Sequence, residues 1–196
     1  PLNQKAKELE MNIFFSLSPE QVLKRIKGVV GGYFHTKDIR FSSSTLAYFA
    51  VARDFFEHSG DFIVIDIDGE VTDITMSKKN LLRESVSFPL GSNFIARKVA
   101  STVGVPLPHA QSLIALFNGG HAEDATAKKI GQIMDQIKKE WLLKFQESLA
   151  NLSNDISIPS TIYLVVDKDQ ASFFRNTIEN EQFNQYTLAE SKFKVT

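Results

Sequence analysis

The stretch DFIVIDID, from Asp61 to Asp68, decides the fold and reads as a buried strand. Its apolar run ends in two carboxylates, as expected where a strand reaches the rim of a sheet. Gly69-Glu70 then supplies a turn, and Val71 to Met76 a second strand. Lys78-Lys79-Asn80 forms the next turn, and Leu81 to Phe88 a third strand. Short strands joined by tight turns predict a three-stranded antiparallel meander.

The residues after the meander alternate between helical and strand patterns. Pro89-Leu90-Gly91-Ser92-Asn93 ends the third strand, and a helix is expected from about Phe94 to Val103. Apolar residues recur at helical spacing from Ala122 to Leu152, which favours a long core-facing helix over a coiled-coil partner site. Thr161 to Val166 has the composition of one more buried strand. Residues 59–196 are therefore expected to form one α/β lobe.

The first part of the chain, residues 1–58, is expected to form a separate segment with the order strand, helix, strand, helix. Glu10 to Leu17 reads as a buried strand, and the helix after it places apolar residues on one face. A short strand is expected near Asp38 to Ser42, and a second helix from Thr45 to Phe56. The chain opens at Pro1 without an initiator methionine, so we expect a fragment of a longer protein or a processed one.

The composition excludes several classes of function. The formal net charge of −1, from 22 basic and 23 acidic residues, lacks the basic excess of a nucleic-acid-binding domain, so no nucleic-acid partner is expected. The chain has no cysteine, which excludes disulfides and thiol zinc sites and is consistent with a reducing cytoplasm. No apolar run approaches the roughly 20 residues that a membrane span needs. The 16 phenylalanines indicate an aromatic core or an adhesive apolar face.

The end of the first meander strand carries a candidate for phosphate chemistry. Backbone N–H groups in a turn of small residues can cradle phosphate oxygens, and a carboxylate beside them can hold Mg²⁺ or orient a water molecule. Asp66 together with Gly69 fits that arrangement. A simpler interpretation stays open, in which the Asp66 carboxylate caps a tight turn at the rim of the sheet.

The meander resembles the second phosphate loop of the actin, Hsp70 and sugar-kinase superfamily. In actin-like ATPases of the bacterial cell-division (FtsA) and pilus-assembly (PilM) type, this loop typically reads Asp-Ile-Gly-Gly-Gly-Thr-Thr-Asp-Ile. Here it reads Asp66-Ile67-Asp68-Gly69-Glu70-Val71-Thr72-Asp73-Ile74, which agrees at six of the nine positions. A turn similar to the family's Pro-x-Gly-Gly-Asn follows at Pro89 to Asn93, and the resemblance spans roughly Phe14 to Asp167.

The resemblance implies a ribonuclease-H-like lobe of the actin and Hsp70 type, in which the meander joins a mixed sheet flanked by helices. It also implies that this chain is the C-terminal half of such a protein. It also implies a site for ATP and Mg²⁺, with Asp66 as the metal-binding or water-orienting acid and, in an active enzyme, the catalytic group. The implied cofactor-binding residues are Asp66, Gly69, Thr72, Gly91, Ser92 and Asn93. The family's first phosphate loop belongs to the other half and is not expected within these residues.

Three elements of the family's nucleotide site are altered in this sequence. Asp68 and Glu70 replace two loop glycines, and their charges would repel a phosphate. The family's Ala-Glu-x-x-Lys falls at Ala110 to Ile114, where the acid is an amide and the lysine is absent. The family's last strand runs into a glycine-rich turn beside the adenine, whereas Tyr163 to Val166 runs into Asp167-Lys168-Asp169. These departures predict a degenerate ATP site.

We therefore expect a non-catalytic or weakly nucleotide-binding scaffold or adaptor of the cytoplasm, acting in cell division, envelope organisation or pilus assembly. Its expected partners are proteins, either further copies in a filament or a tubulin-like division protein. Two alternatives stay open: an active ATPase whose N-terminal half lies outside this chain, and an interaction domain of unrelated function on the same fold. An exposed apolar face is expected where the companion half would pack.

Overall fold

Five strands form one mixed sheet in the computed structural model, which describes residues 7, 13–56, 60–152, 157–183 and 192–196. In chain order the strands are β1 (Phe62–Ile67), β2 (Thr72–Lys78), β3 (Leu81–Phe88), β4 (Thr161–Val165) and β5 (Lys194–Val195). They lie side by side in the order β3-β2-β1-β4-β5. The pairs β1–β2 and β2–β3 are antiparallel, whereas β4 runs parallel to both β1 and β5. The predicted meander within a mixed sheet is therefore confirmed.

Six helices accompany the sheet within the same described residues. They are α1 (Glu20–Phe34), α2 (Ser44–Phe55), α3 (Ser92–Val103), α4 (Leu107–Asn118), α5 (Asp124–Leu152) and α6 (Lys168–Glu179). The long helix begins at Asp124, two residues later than the sequence pattern indicated. Pro106 caps α4 and Pro108 lies in its first turn, where proline is tolerated because those N–H groups have no helical acceptor.

The β2–β3 turn shows why the meander is predictable from local sequence. Lys79 and Asn80 both have left-handed backbone, with φ of 53° and 58°. Two successive residues of this kind form the tight hairpin turn whose twist matches that of its flanking strands. Lys79 N also donates a hydrogen bond of 2.8 Å to Asp61 Oδ1, which fixes the turn beside the start of β1.

One face of the sheet, which we call the α5 face, holds the larger core. Ile63, Ile65 and Ile67 of β1 all point into it, because alternate residues of a strand share a face. α5 covers this face with Trp141, which is fully buried and stacks on Phe145 with ring centroids 5.0 Å apart. Helices α3 and α6 complete the same core.

The opposite face, which we call the α2 face, holds a smaller cluster. Phe62 and Val64 of β1 pack there against Phe49 and Ala52 of α2, with Tyr163 of β4 beside them. Among the described residues this cluster has five buried members, against 24 on the α5 face. The α2 face is therefore the thinly covered side of the sheet.

Both strands expected within residues 1–58 are absent from the described part of that segment. Residues 13–17 are irregular and exposed, and residues 10–12 of the expected strand lie outside the described residues. Residues 38–42 are also irregular. The two predictions were wrong here because a strand is stable only where another strand pairs with its backbone, and no described strand lies beside either segment. The two expected helices are present as α1 and α2.

Helix α1 exposes the apolar face that the sequence led us to expect. None of its residues is buried, although its apolar residues recur with helical spacing. Val22, Ile26 and Val29 lie on one stripe and are 42% to 58% exposed. The stripe therefore has no cover among the described residues.

Candidate functional site

Asp66 lies near the C-terminal end of β1, on the α2 face of the sheet. Its register partner on β2 is Asp73. The Ser87 hydroxyl on β3 donates a short hydrogen bond to Asp73 Oδ1. Directly opposed like charges on neighbouring strands repel each other, so this pair makes the end of the sheet strongly acidic.

A cavity of about 340 Å³ opens beside Asp66, and we call it the carboxylate cavity. Ser44 and Tyr48 line it from α2. None of the described residues that line it is a lysine, arginine or histidine. Four of the lining residues are aspartates, namely Asp66, Asp68, Asp73 and Asp167.

The acidic surroundings change the titration of the groups in this cavity. Burial raises the pKa of Asp66 to about 6, and the charges of Asp73 and Asp68 contribute in the same direction. The pKa of Tyr48 is also raised, first by the charge of Asp66 and then by burial and Asp68. At pH 7 Asp66 is still roughly 90% ionised, because the pH lies about one unit above its pKa.

The turn between β1 and β2 is fixed to the first residues of α3. Ser92 N donates to Asp68 O at 2.8 Å, and Asn93 N donates to Gly69 O at 2.8 Å. Glycine at position 91 permits this approach, because a Cβ there would lie 2.2 Å from Asp68 O. Backbone N–H groups at the start of a helix commonly bind phosphate. Here two of them are already bonded to carbonyl groups of the turn.

Glu70 lies against α3 and is not among the residues that line the carboxylate cavity. Arg97 Nη1 and Nη2 donate to its two carboxylate oxygens at 2.7 and 2.8 Å, and Asn93 Nδ2 donates to Oε1 at 3.0 Å. Those bonds, Arg97 first, lower the pKa of Glu70 to about 2. Sequence reasoning missed Arg97, whose signal is a basic residue four positions after Asn93, a spacing found on many surface helices.

Thr72 does not belong to the cavity, although the family resemblance included it among the nucleotide contacts. Its side chain is fully buried on the α5 face, because it alternates with Asp73 along β2. The hydroxyl donates to Leu90 O at 2.7 Å and accepts from Trp141 Nε1 at 3.3 Å. Thr72 therefore holds the segment before α3 against the core.

A second cavity, of about 570 Å³, lies between α3, α4 and the start of α6, and we call it the amide cavity. Ser92 lines both cavities and so stands between them. Gln170 Oε1 is buried without a hydrogen-bond partner. The side chains that bring amide groups to this cavity are Asn93, Gln111, Asn118 and Gln170.

The six residues that the resemblance selected are thus distributed over different roles. Asp66 and Gly69 line the carboxylate cavity, and Ser92 lines both cavities. Gly91 packs under the turn, and Asn93 lines the amide cavity. Tyr48 lines the carboxylate cavity and was missed by sequence reasoning, because it comes from α2, outside the recognised motif.

The residues present do not fit a magnesium nucleotide. Within the described residues, no group of three or more His, Asp or Glu side chains is placed to hold a metal ion. The aspartates would face the phosphates with negative charge. The backbone N–H groups of Asp68, Gly69, Ser92 and Asn93 already donate within the protein. Over the described part of the chain, the structure also has no helix with the length and apolar composition to cross a bilayer.

No protein-family model matches the chain, and no curated protein matches it in sequence. Solved structures do resemble it. MreB 5 of Spiroplasma citri, bound to AMPPNP, matches at 12% identity and a TM-score of 0.57 over 91% of this chain and 60% of that one. A chain of the PilM–PilN type IV pilus biogenesis complex matches at 18% identity and 0.52, over 66% and 37%. The ethanolamine utilization protein EutJ from Carboxydothermus hydrogenoformans matches at 18% identity and 0.50, over 75% and 47%.

These neighbours establish that the chain has the actin-like fold. The predicted actin-like fold is confirmed, with PilM among the neighbours, and the FtsA branch stays a prediction. At sequence identities of 12% to 18%, the similarity shows a shared fold and says nothing about activity. The chain spans between 37% and 60% of the length of the three solved chains.

Proposed function

We propose that this chain is the core of a nucleotide-insensitive scaffold or adaptor with an actin-like fold, acting in the cytoplasm on cell-division or envelope machinery such as pilus assembly. The observation that carries the proposal is the carboxylate cavity. Among the described residues, four aspartates and no side-chain cation line the place where the related fold would hold phosphate. Asp66 and Asp73 are shared with the resembling loop, whereas Asp68 and Asp167 stand where that family has glycine-rich turns and add negative charge to the cavity.

Electrostatic repulsion is the first reason for nucleotide insensitivity. Like charges about 4 Å apart repel by about 4 kcal/mol at the effective dielectric of a protein surface. A triphosphate would bring several negative charges to a cavity that is already acidic. One Mg²⁺ offsets only part of this repulsion, and the cavity has no lysine or arginine among its described lining residues to offset the rest.

The closed turn is the second reason. Gly69 N donates to Asp68 Oδ1 at 2.7 Å, and Asp68 N donates to Val71 O at 3.0 Å. Ser92 N and Asn93 N donate to the turn carbonyls, as described above. A phosphate would have to break these four bonds before its oxygens reached the same donors, and each bond to a charged or buried partner costs energy to lose.

If the fold does not bind nucleotide, protein–protein contact is the function that we propose for it. The neighbouring PilM is found in a complex with PilN. This chain exposes large apolar side chains before its sheet, with Phe15 at 78%, Leu17 at 96% and Tyr33 at 83%. An exposed apolar surface of this kind marks a protein interface. We propose protein partners here, either further copies of the chain or a division or pilus protein.

Calorimetric titration with ATP, with and without Mg²⁺, tests the proposal. It is made on this chain and on the longest natural polypeptide that contains it, so that a missing lobe cannot hide a site. Asp66→Ala is the cavity variant, and Asp135→Ala, an exposed aspartate of α5, is the matched control. We expect no magnesium-dependent binding at millimolar ATP in any of them.

The active ATPase is the second candidate, and the raised pKa of Asp66 is the observation that favours it. An acid tuned towards neutral pH suits general-base chemistry. This candidate predicts micromolar, magnesium-dependent binding that is lost in Asp66→Ala and kept in Asp135→Ala. That result would overturn the scaffold proposal.

A further inference from the structure

Glu70 is held by more donors than an ordinary surface carboxylate. Both terminal guanidinium nitrogens of Arg97 donate to it, one to each oxygen, at 2.7 and 2.8 Å. The Asn93 amide adds a third hydrogen bond at 3.0 Å. Exposed ion pairs usually contribute little because their side chains are mobile, whereas a two-pronged guanidinium contact fixes the geometry.

The same set of donors recognises phosphate. A guanidinium binds carboxylate and phosphate with the same parallel pair of N–H groups, and an amide N–H supplements either. The carboxylate of Glu70 therefore stands where an oxyanion of a ligand would be held. Asn93 also lines the amide cavity, so one donor of the set belongs to a cavity wall.

We propose that Arg97 and Asn93 form an oxyanion site at the edge of the amide cavity, and that Glu70 is an internal anion that occupies this site and keeps phosphate groups out. The inference goes beyond the proposed function, because this site lies outside the carboxylate cavity and is a second place where the molecule excludes phosphate. Glu70 stands at a position where the resembling loop has glycine, which could not supply the carboxylate.

The backbone around Glu70 holds its carboxylate in position to compete with phosphate for Arg97 and Asn93. The preceding turn carbonyls, Asp68 O and Gly69 O, accept from Ser92 N and Asn93 N at 2.8 Å each. An anion tethered this closely acts at an effective concentration in the millimolar range or above. Free phosphate at lower concentration cannot displace it. The helix N–H groups are not the proposed contact, because these bonds already occupy them.

Titration with inorganic phosphate, followed by NMR of the Arg97 Nε–H and Asn93 side-chain amide signals, tests the inference. In the wild type we expect no saturable shift of either signal at millimolar phosphate. In Glu70→Ala we expect both signals to shift with saturation, with an affinity gain of about tenfold or more, the factor that one charge-assisted hydrogen bond supplies. Adding Arg97→Ala to that variant should abolish the gain.

A matched control separates a formed site from a general change of charge. Lys98, the next residue of α3, makes an exposed ion pair of 2.7 Å with Glu140. Glu140→Ala on α5 removes one carboxylate that pairs with α3, as Glu70→Ala does, but it leaves a flexible ammonium in place of a guanidinium. We expect no saturable phosphate binding in this variant. Glu70→Gln keeps the shape of the side chain and serves as a second variant if Glu70→Ala does not fold. It should increase phosphate affinity by less than Glu70→Ala does.

Two results would overturn the inference. One is no gain of phosphate binding in Glu70→Ala or Glu70→Gln with the fold intact. The other is an equal gain of phosphate binding in Glu140→Ala, which would show that the effect comes from the change in net charge and not from a formed site. Neither result touches the scaffold proposal, which depends on ATP binding by the wild type, so the two failures are distinguishable.

Discussion

The two faces of the sheet differ at the C-terminal end of β1, although its alternate residues are apolar on both faces at its start. On the α5 face all three inward residues of β1 are isoleucines, and helices cover them completely. On the α2 face the alternation of Phe62 and Val64 stops at Asp66, beside a cavity lined by aspartates. Only α2 covers that side among the described helices, and the segment before it leaves apolar side chains exposed.

This difference shows where stability and interaction are located in the molecule. The α5 face is packed as a protein interior is packed, so its substitutions should act on the free energy of unfolding. The α2 face carries the half-buried carboxylates, and the segment before α2 carries the uncovered apolar surface. Substitutions in these two regions should act on pH dependence and association, with smaller effects on stability. Four substitutions test this contrast, from the largest expected effect to the smallest.

Trp141→Ala should cause the largest loss. Trp141 is fully buried, stacks on Phe145 and donates to Thr72 Oγ1. Removing it should lower the free energy of unfolding by about 4 kcal/mol, the range for large aromatic side chains in a core. Urea unfolding measures this loss. Leu143→Ala on the exposed side of α5 is the control and should change stability by less than about 0.5 kcal/mol. Similar losses in both would show that the α5 face is not the core.

Gly91→Ala should cause the second-largest loss of stability, because position 91 has no room for a side chain. Its added Cβ would lie 2.2 Å from Asp68 O and 2.6 Å from Gly69 O, both backbone atoms that cannot rotate away. We expect a loss of about 3 kcal/mol, the upper range for overpacking. Gly32→Ala, where nothing lies within 4 Å, should be neutral or slightly stabilising in the same unfolding experiment. A neutral Gly91→Ala would contradict the closed turn.

Asp66→Asn should stabilise the protein at neutral pH. The folded pKa of Asp66 is raised to about 6, so the folded state disfavours the ionised form that predominates at pH 7. The amide removes this penalty, and we expect a gain of about 1 kcal/mol after allowance for solvent screening. The gain should shrink as pH falls below 6 and vanish below about 4, where Asp66 is protonated in both states. Unfolding curves of both proteins across this range measure it. A gain that persists at acid pH would refute the charge explanation.

Ile26→Asn should have the smallest effect on stability. Ile26 is 42% exposed on the α1 stripe, so we expect a change within about 0.5 kcal/mol. Self-association, measured by sedimentation velocity, should decrease because an apolar contact surface is lost. Ile137→Asn, at an equivalent stripe position on α5 but buried, should unfold the protein. A large loss of stability in Ile26→Asn would show that α1 is packed after all.

The sequence was sufficient for the parts of the fold that depend on local pattern. The meander, its Lys78-Lys79-Asn80 turn and the long helix follow from alternation, turn chemistry and helical spacing, which are properties of neighbouring residues. The strands expected around residues 10–17 and 38–42 were wrong over the described residues. An apolar segment indicates that its side chains are buried in some contact. The sequence pattern does not show whether that contact is backbone pairing with a strand of the same sheet.

The site was predictable only in part. The motif located Asp66, Gly69 and Ser92 at a cavity, because the family loop fixes those positions by sequence. The motif also selected Thr72, whose side chain lies on the α5 face because residues alternate along β2. The Glu70–Arg97 pair joins residues 27 positions apart through exposed side chains, and no periodic pattern encodes such a contact.

The most direct test of the central claim is the backbone NMR signal of Gly69 during titration with ATP and Mg²⁺. This amide lies in the carboxylate cavity and donates to Asp68 Oδ1, so a phosphate in the cavity would displace its partner. NMR also detects binding in the millimolar range, where calorimetry is weak. The account predicts that the Gly69 signal stays unchanged at millimolar MgATP. A saturable shift of Gly69 that disappears in Asp66→Ala would contradict it.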